Sequence, residues 1–187
     1  MSEDANKELA AEAAVENAAH DAIEVLKSDH RVAEQLFDAF HRTADTDHEA
    51  KRALVQRACE ELTVHTLIEE EILYPAAYKA LEHSEEIDVD EAYVEHFVMK
   101  TLIARFESLK PGDRGFDATF EVLSGIVRHH IEEEESVLFP ELLRSGVDLV
   151  TLGEEIATRK EVLMKRLEAA GSKPARDGSA TLDRGTK

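Results

Sequence analysis

Two segments of this sequence carry the same pattern of histidine and glutamate, whose side chains bind transition-metal ions. His65-Thr-Leu-Ile-Glu69 and His130-Ile-Glu-Glu-Glu134 both place a glutamate four residues after a histidine. On a helix this spacing puts the two side chains on one face. Both segments continue as Glu, any residue, Ile or Val, Leu, an aromatic residue and Pro. The pattern predicts two helices that each contribute one histidine and one glutamate to a metal site.

A histidine upstream of each segment extends the repeat. His30 lies 35 residues before His65, and His96 lies 34 residues before His130. A lone histidine on a helix is usually structural, and a lone His-x-x-x-Glu pair is common by chance. Agreement in order and spacing between two copies is far more specific, so we interpret the chain as two copies of one helical hairpin.

Two glutamates and four histidines at core-facing positions need cations between them, because burying unpaired charge costs roughly several kcal/mol. Each carboxylate can bridge two ions, and nitrogen and oxygen ligands suit iron or manganese better than the thiolate-rich sites of structural zinc. Two six-coordinate ions offer about twelve positions and these side chains fill about eight, which leaves about four for oxo or hydroxo bridges, water and a diatomic ligand. We predict two iron ions, oxo- or hydroxo-bridged, ahead of manganese or zinc, with these ligands: His30, His65, Glu69, His96, His130 and Glu134.

A second pair, His129 with Glu133, has the same spacing as the fourth-helix pair but is offset by one residue. Alignment of the two repeats on their prolines selects His130 and Glu134 as the equivalents of the first pair. His129 is then expected beside the site, where it could contact a ligand without binding the metal itself.

Other residues near the motifs have simpler expected roles. Tyr74 and Phe139 are predicted to be core aromatics, and Glu70 and Glu135 are predicted to be solvated charges. Tyr93 precedes the third-helix histidine by one turn, so it could point at the metals. The remaining histidines fall at helix edges or in loops and are predicted to be solvated: His20, His41, His48 and His83.

Helical periodicity places these residues in a bundle. The first helix carries one apolar stripe with a histidine in its middle: Ile23, Leu26, His30, Ala33, Phe37 and Phe40. Pro75 should kink or re-time the second helix, and the third should stop at Lys110-Pro111-Gly112-Asp113. The fourth runs from about Phe116 to the stop signal Ser145-Gly146.

We therefore predict an all-α fold, an up-down-up-down four-helix bundle with an extra C-terminal helix and flexible termini. The predicted divisions are an N-terminal lead-in at 1–20, the bundle at 21–146, the C-terminal helix at 147–170 and a tail at 171–187.

Composition and charge narrow the functional classes. The chain has 22 Lys and Arg against 41 Asp and Glu, a net charge of −19. Such a surface repels phosphate backbones and anionic lipids and attracts cations, so we expect neither nucleic acid nor a membrane as partner. A single cysteine and an N-terminal segment without signal-peptide character favour the cytoplasm.

The four histidines and two glutamates resemble the ligand pattern of the hemerythrin family in its broad sense, the HHE cation-binding domain, over roughly residues 23 to 145. The resemblance implies an up-down-up-down bundle with a non-haem di-iron centre bridged by Glu69 and Glu134. It also implies reaction with oxygen, peroxide or nitric oxide.

Two departures from oxygen-carrying members stand out. Those proteins have a second histidine one turn after the third-helix ligand, where this chain has Lys100, and an aspartate where it has Glu134. The ligand set is more similar to bacterial HHE proteins that handle oxidative or nitrosative stress, including some that repair iron-sulfur clusters.

We therefore expect a protein that binds, senses or detoxifies oxygen, peroxide or nitric oxide, and whether it removes peroxide as a catalase-like enzyme is left open. Iron storage, iron delivery and iron-sulfur cluster repair form the alternative, and a metal-free helical interaction module is a third. The expected partners are a small diatomic or peroxide ligand and a redox partner, with the oligomeric state unassigned.

Overall fold

The structure is a computed structural model that describes residues 21–81 and 86–171, with only the backbone of residues 86, 87 and 171. Its α-helices, in chain order, are α1 (Ala22–Arg42), α2 (His48–Ile68), α3 (Tyr74–Ala80), α4 (Glu86–Arg105), α5 (Phe116–Glu133), α6 (Phe139–Ser145) and α7 (Leu149–Gly171). Two π-helical turns, Glu69–Leu73 and Glu134–Leu138, join α2 to α3 and α5 to α6. The predicted all-α four-helix bundle is confirmed: its four members are α1, α2 with α3, α4, and α5 with α6.

Side-chain caps and glycines set the ends of the helices. Asp21 accepts a hydrogen bond from the backbone N–H of Glu24 at 3.0 Å, which caps α1, and Asp47 caps α2 through Ala50 at 3.1 Å. Gly146 follows α6 with φ of 76°, the left-handed backbone that favours glycine at a helix end. The helix α4 ends at Arg105, earlier than the predicted stop at Lys110, because the residues after it form tighter turns.

The two π-helical turns occupy equivalent places in the two hairpins. Each begins at the glutamate of a His-x-x-x-Glu motif and ends one residue before the aromatic-Pro pair. Pro75 and Pro140 have no backbone N–H, and their rings crowd the preceding turn of the helix. The backbone there therefore forms hydrogen bonds between residues five apart instead of four apart. The N–H of Tyr74 accordingly bonds to the carbonyl of Glu69, five residues earlier. The predicted re-timing at Pro75 is thus a π-helical turn.

The apolar core is divided in two by a polar layer. One cluster lies towards α3, α6 and α7 and includes Leu26, Ile68 and Tyr74. The other lies towards the opposite end of the bundle and includes Ala33 and Phe120. On α1, the buried His30 falls between Leu26 and Ala33 in sequence and therefore between the two clusters. Whatever occupies this layer is enclosed by apolar side chains above and below.

The C-terminal helix α7 packs against α1 and α2, outside the four-helix bundle. Ile156 and Leu163 bury their side chains in the first cluster, and Lys160 pairs with Asp29 of α1. Among the described helices, none has both the length and the apolar character needed to cross a membrane. The predicted lead-in at 1–20 and, beyond the backbone of residue 171, the predicted tail lie outside the described residues.

Candidate metal centre

All six predicted ligands meet in the polar layer at the middle of the bundle. Each of these side chains is at most 6% exposed. The helix α1 carries His30, α2 carries His65, α4 carries His96 and α5 carries His130. The two glutamates are the first residues of the two π-helical turns. Residues separated by more than 100 positions in the chain therefore share one buried space.

The first of two overlapping groups holds the histidines of the first hairpin. Its members are His30, His65, Glu69 and Glu134, whose candidate ligand atoms all lie within 4.8 Å of one another. The Nε2 atom of His30 lies 3.3 Å from Oε2 of Glu134, and Nε2 of His65 lies 3.2 Å from Oε2 of Glu69. We call this group the first half-site.

The second group holds the histidines of the second hairpin and shares a glutamate with the first. Its members are Glu69, His96 and His130. The Nε2 atom of His96 lies 3.3 Å from Oε2 of Glu69 and 3.2 Å from Nε2 of His130. Glu134 also approaches this group, because its Oε2 atom lies 3.5 Å from Nε2 of His130. We call this group the second half-site; both carboxylates lie where they could serve both half-sites.

Unpaired polar atoms show that this donor set suits a cation. Nε2 of His30, Nε2 of His65, both oxygens of Glu69 and Oε2 of Glu134 are buried without a hydrogen-bond partner. Buried polar atoms are almost always paired, because an unpaired one costs roughly 1–3 kcal/mol. Mixed imidazole and carboxylate donors are those of iron, manganese and zinc sites. The residues therefore fit a pair of transition-metal ions.

The pKa values of the two carboxyl groups move in opposite directions. Burial, reinforced by the charge of Glu134, raises the pKa of Glu69 well above its ordinary value. Burial also acts to raise the pKa of Glu134, but the imidazoles of His130 and His30 outweigh it, so that pKa is lowered. Two carboxylates this close cannot both ionise freely without cations between them.

The histidines of the second half-site are also shifted apart. Burial, together with the neighbouring His130, lowers the pKa of His96 to about 4. Burial opposes a charge on His130, but Glu134 and a hydrogen bond to Glu95 raise its pKa to about 9. A metal-free second half-site therefore holds one neutral and one protonated imidazole near neutral pH.

Two outer carboxylates connect the hairpins. Nδ1 of His30 lies 2.8 Å from Oε1 of Glu135, and Nδ1 of His96 lies 3.0 Å from Oε1 of Glu70. A carboxylate at Nδ1 fixes the proton there and leaves the Nε2 lone pair facing the centre. Glu70 and Glu135, predicted to be solvated charges and not ligands, lie outside the groups of candidate ligand atoms. They are nevertheless only 19% and 26% exposed, because each is turned towards a histidine of the other hairpin.

Two further carboxylates act within their own hairpins. Nδ1 of His130 lies 2.7 Å from Oε2 of Glu95, whereas Nδ1 of His65 lies 3.8 Å from Oδ2 of Asp29, beyond hydrogen-bond distance. Asp29 and Glu95 are equivalent in the repeat, since each precedes the upstream histidine of its hairpin. The acid before that histidine is a further repeated position in the sequence, and it signals these contacts together with the glutamate that follows each motif.

An aromatic residue distinguishes the two half-sites. Tyr74 is fully buried, and its hydroxyl donates to Oε1 of Glu134 at 3.0 Å and lies 3.2 Å from Nε2 of His96. Phe139, its equivalent, stacks on the His30 ring with centroids 5.8 Å apart. Tyr74 therefore touches the centre, which corrects its prediction as a core aromatic alone. Because a π-helical turn holds more residues than an α-helical turn, Tyr74, five residues after Glu69, lies on the same inward side.

The other predicted neighbours lie further out. The Tyr93 hydroxyl lies 3.4 Å from the backbone carbonyl of Glu70 rather than at the ligands. His129 is 63% exposed and lies outside the six-residue set. His41 and His48 are exposed, as predicted. His20 and His83 lie outside the described residues.

Residues 21–142 match the family described as the Hemerythrin HHE cation binding domain. The chain belongs to this family and is a metal-binding, hemerythrin-like protein. The resemblance drawn from the motifs is thereby confirmed.

Two individual proteins are similar to the chain. A crystal structure of an HHE cation binding domain-containing protein from Mycobacterium kansasii superposes with a TM-score of 0.69 at 24% identity, covering 82% of this chain and 93% of that one. A DNA nickase from Nostoc sp. (strain PCC 7120) is 29% identical over 116 residues, which make up 62% of this chain and 32% of the nickase. The chain thus spans about a third of the nickase, and the solved structure supports the fold.

Proposed function

We propose that this chain is a non-haem di-iron protein that binds, senses or detoxifies oxygen, peroxide or nitric oxide. The observation that carries the proposal is the set of buried donor atoms without hydrogen-bond partners, supplied by three of the four bundle members. His30, His65, His96, His130, Glu69 and Glu134 would hold the metal. When bound, a pair of iron ions would supply redox chemistry and open positions for a small ligand.

The residues around these ligands serve to orient them. The carboxylates at Nδ1 of His30, His96 and His130 hold each ring with its Nε2 atom towards the centre. The apolar clusters on either side keep bulk water from the buried carboxylates. Such a centre suits a small molecule better than a bulky substrate, because the larger of the two described cavities beside it has a volume of only about 60 Å³.

One hydroxyl group is positioned to donate a hydrogen bond at this centre. Tyr74 donates to Glu134, and burial raises the pKa of Tyr74 well above its ordinary value. The phenol therefore stays protonated and acts as a hydrogen-bond donor over the working pH range. Hydrogen-bond donation of this kind is enough for a protein that binds or senses a small molecule. A catalase-like reaction would in addition need a route for proton exchange with solvent.

Metal analysis joined to optical spectroscopy tests the proposal. The purified protein should contain about two iron ions per chain, within the ligand capacity of four histidines and two glutamates. Its absorption should change on anaerobic reduction and again on addition of oxygen, peroxide or nitric oxide. Protein that contains stoichiometric zinc, or iron whose spectrum ignores all three ligands, would contradict the proposal.

Iron storage or delivery is the second candidate, favoured by the net charge of −19. It predicts release of the iron to a chelator or an apo-cluster acceptor on reduction, whereas the leading proposal predicts retention. Nicking of DNA is the activity in the name of the Nostoc relative, and we do not extend it to this chain, because the same charge repels a phosphate backbone.

A further inference from the structure

A cavity of about 60 Å³ lies beside the second half-site. Its inner wall includes the buried side chains of His130 and Glu134, and Oε2 of Glu134 is one of the atoms without a hydrogen-bond partner. Its outer wall is acidic and is formed by α4 and α5, with these carboxylates: Asp88, Glu91, Glu95 and Glu133. The cavity thus places a row of carboxylates between the surface and the candidate ligands.

A second cluster of donor atoms stands at the mouth of this cavity. Glu95, His129 and Glu133 each offer one ligand atom, and these atoms lie within 4.8 Å of one another. Nε2 of His129 lies 3.2 Å from Oε1 of Glu133 and 4.0 Å from Oε1 of Glu95. The same three residues line an open groove on the surface. We call them the mouth triad.

Glu95 belongs to both the mouth triad and the buried centre. Its Oε1 atom faces His129, while its Oε2 atom lies 2.7 Å from Nδ1 of His130. One carboxylate therefore separates a donor set open to solvent from a candidate ligand that is 1% exposed. No other described cluster of ligand atoms is in contact with the centre in this way.

The charge at the mouth differs from that around the other outer carboxylates. Glu135 pairs with Arg31, Glu70 with Lys100, and Asp29 with Lys160. Within residues 21–81 and 86–171, neither Glu95 nor Glu133 has an ion pair with lysine or arginine. No described lysine or arginine therefore offsets the two carboxylates of the mouth triad, whose partners are the imidazoles of His129 and His130.

We propose that the mouth triad captures divalent metal ions from solvent and passes them through the acidic cavity to the buried centre. The chemistry of the triad supports a cation as its ligand: two carboxylates and one exposed imidazole bind divalent ions weakly and reversibly when solvent can complete the coordination. The unpaired Glu134 oxygen at the inner wall then offers the next ligand. This inference rests on the proposed metal-binding function.

The opposite side of the centre is less suited to this task. The cavity beside His30 and His65 has a volume of only about 10 Å³. Its carboxylates, Asp29 and Glu61, are paired with Lys160 and Arg57. A hydrated cation approaching there meets positive charge and has little room.

The rate of metal uptake by the metal-free full-length protein tests this role. Ferrous iron is added anaerobically in a stopped-flow instrument, and uptake is followed by competition with a chromophoric chelator. The test variant is His129→Ala with Glu133→Gln, which leaves Glu95 and all six candidate ligands in place. The matched control is His41→Ala with Glu121→Gln, a second exposed histidine-glutamate pair, 2.9 Å apart and connecting α1 with α5.

We expect the test variant to load about tenfold more slowly than the unmodified protein, with the same final stoichiometry, because focused negative charge raises cation on-rates by about 10-fold or more. The control should load at the unmodified rate. His129→Lys, which adds a positive charge without shortening the side chain, should slow loading as well. Raising the ionic strength should narrow the difference.

Three results would overturn the inference and can be told apart. If the unmodified protein takes up no iron, the proposed function fails and the uptake route fails with it. If the unmodified protein loads normally and the test variant loads at the same rate, only the uptake route fails. A loss of final stoichiometry in the test variant would also contradict it, because a capture site changes the rate and not the end point.

Discussion

The first half-site lies beneath α7, whereas the second half-site borders a cavity that leads to solvent. Lys160 of α7 pairs with Asp29, the carboxylate nearest to Nδ1 of His65. Glu95, the equivalent of Asp29 in the second hairpin, has no such cation among the described residues. The adjoining cavities have volumes of about 10 Å³ and about 60 Å³. The helix that follows the repeat therefore supplies a cation beside the first half-site only, and the second half-site has the larger cavity.

The aromatic residues after the motifs make a second difference. Tyr74 brings a hydroxyl to the second half-site, while Phe139 brings only a ring to the first. The candidate ligands themselves match, so the repeat supplies equal donors and the rest of the chain supplies unequal surroundings. Two metal positions in such a centre should differ in affinity and in access to small ligands, because the surroundings of a site tune its metal.

The largest effects should come from removing single ligands. His65→Ala should empty the first half-site and His96→Ala the second, each lowering the metal content from about two ions to about one. Glu69→Ala should remove both ions, because Glu69 belongs to both groups. Metal analysis of the purified variants gives the answer, with His41→Ala as the control that keeps full content. Complete loss of metal in both histidine variants would show that the half-sites fill only together.

The thermal stabilisation that metal gives to the fold should also be shared between the two half-sites. Metal at a hundredfold excess over its Kd stabilises the folded chain by about 2.7 kcal/mol, which is roughly 5–10 °C in Tm for a chain of this size. Each histidine variant should retain about half of the difference in Tm between its loaded and chelator-treated forms. Comparing each variant with itself removes the effect of the substitution on the metal-free fold. If metal changed the Tm of the histidine variants as much as that of the unmodified protein, the two half-sites would not contribute separately to stability.

The sequence could predict the bundle and the meeting of the six side chains because both depend on helical periodicity and on an internal repeat. The stripe around His30 requires only a regular helix, and the 35- and 34-residue spacings require only that the hairpin be repeated. The caps and breakers, such as Gly146, also act locally. These features are determined by short segments of sequence, so they can be found without knowledge of the tertiary structure.

The contacts that depend on tertiary position could not be predicted in the same way. Tyr74 points inward because the backbone widens after Glu69, and an α-helical period places it elsewhere. Glu135 reaches His30 from 105 residues away, and no local spacing records that distance. The pairing of Lys160 with Asp29 depends on where α7 packs. The difference between the two half-sites therefore depends on tertiary packing, whereas the candidate ligand set can be found from short segments of sequence.

Replacing Tyr74 by phenylalanine should test the second difference, which is the hydroxyl present at only one of the two half-sites. Tyr74→Phe removes a hydrogen bond to a buried carboxylate and should lower the stability of the metal-free protein by about 2 kcal/mol, or roughly 4–8 °C in Tm. Tyr93→Phe is the matched control, since its hydroxyl makes only a 3.4 Å contact with a backbone carbonyl. The control should change Tm by less than about 4 °C. If both variants unfold at the same temperature, the Tyr74 hydroxyl does not distinguish the half-sites.

The smallest expected effects concern the outer carboxylates of the first half-site. Glu135→Gln should weaken metal binding by about tenfold, because a carboxylate 2.8 Å from Nδ1 makes His30 a more basic ligand than an amide does. Asp29→Asn should weaken binding much less, since Asp29 lies 3.8 Å from Nδ1 of His65. Competition titration against a chelator of known affinity measures both values. Equal losses would mean that Asp29 closes on His65 once metal binds, which would make the two half-sites more alike than their distances indicate.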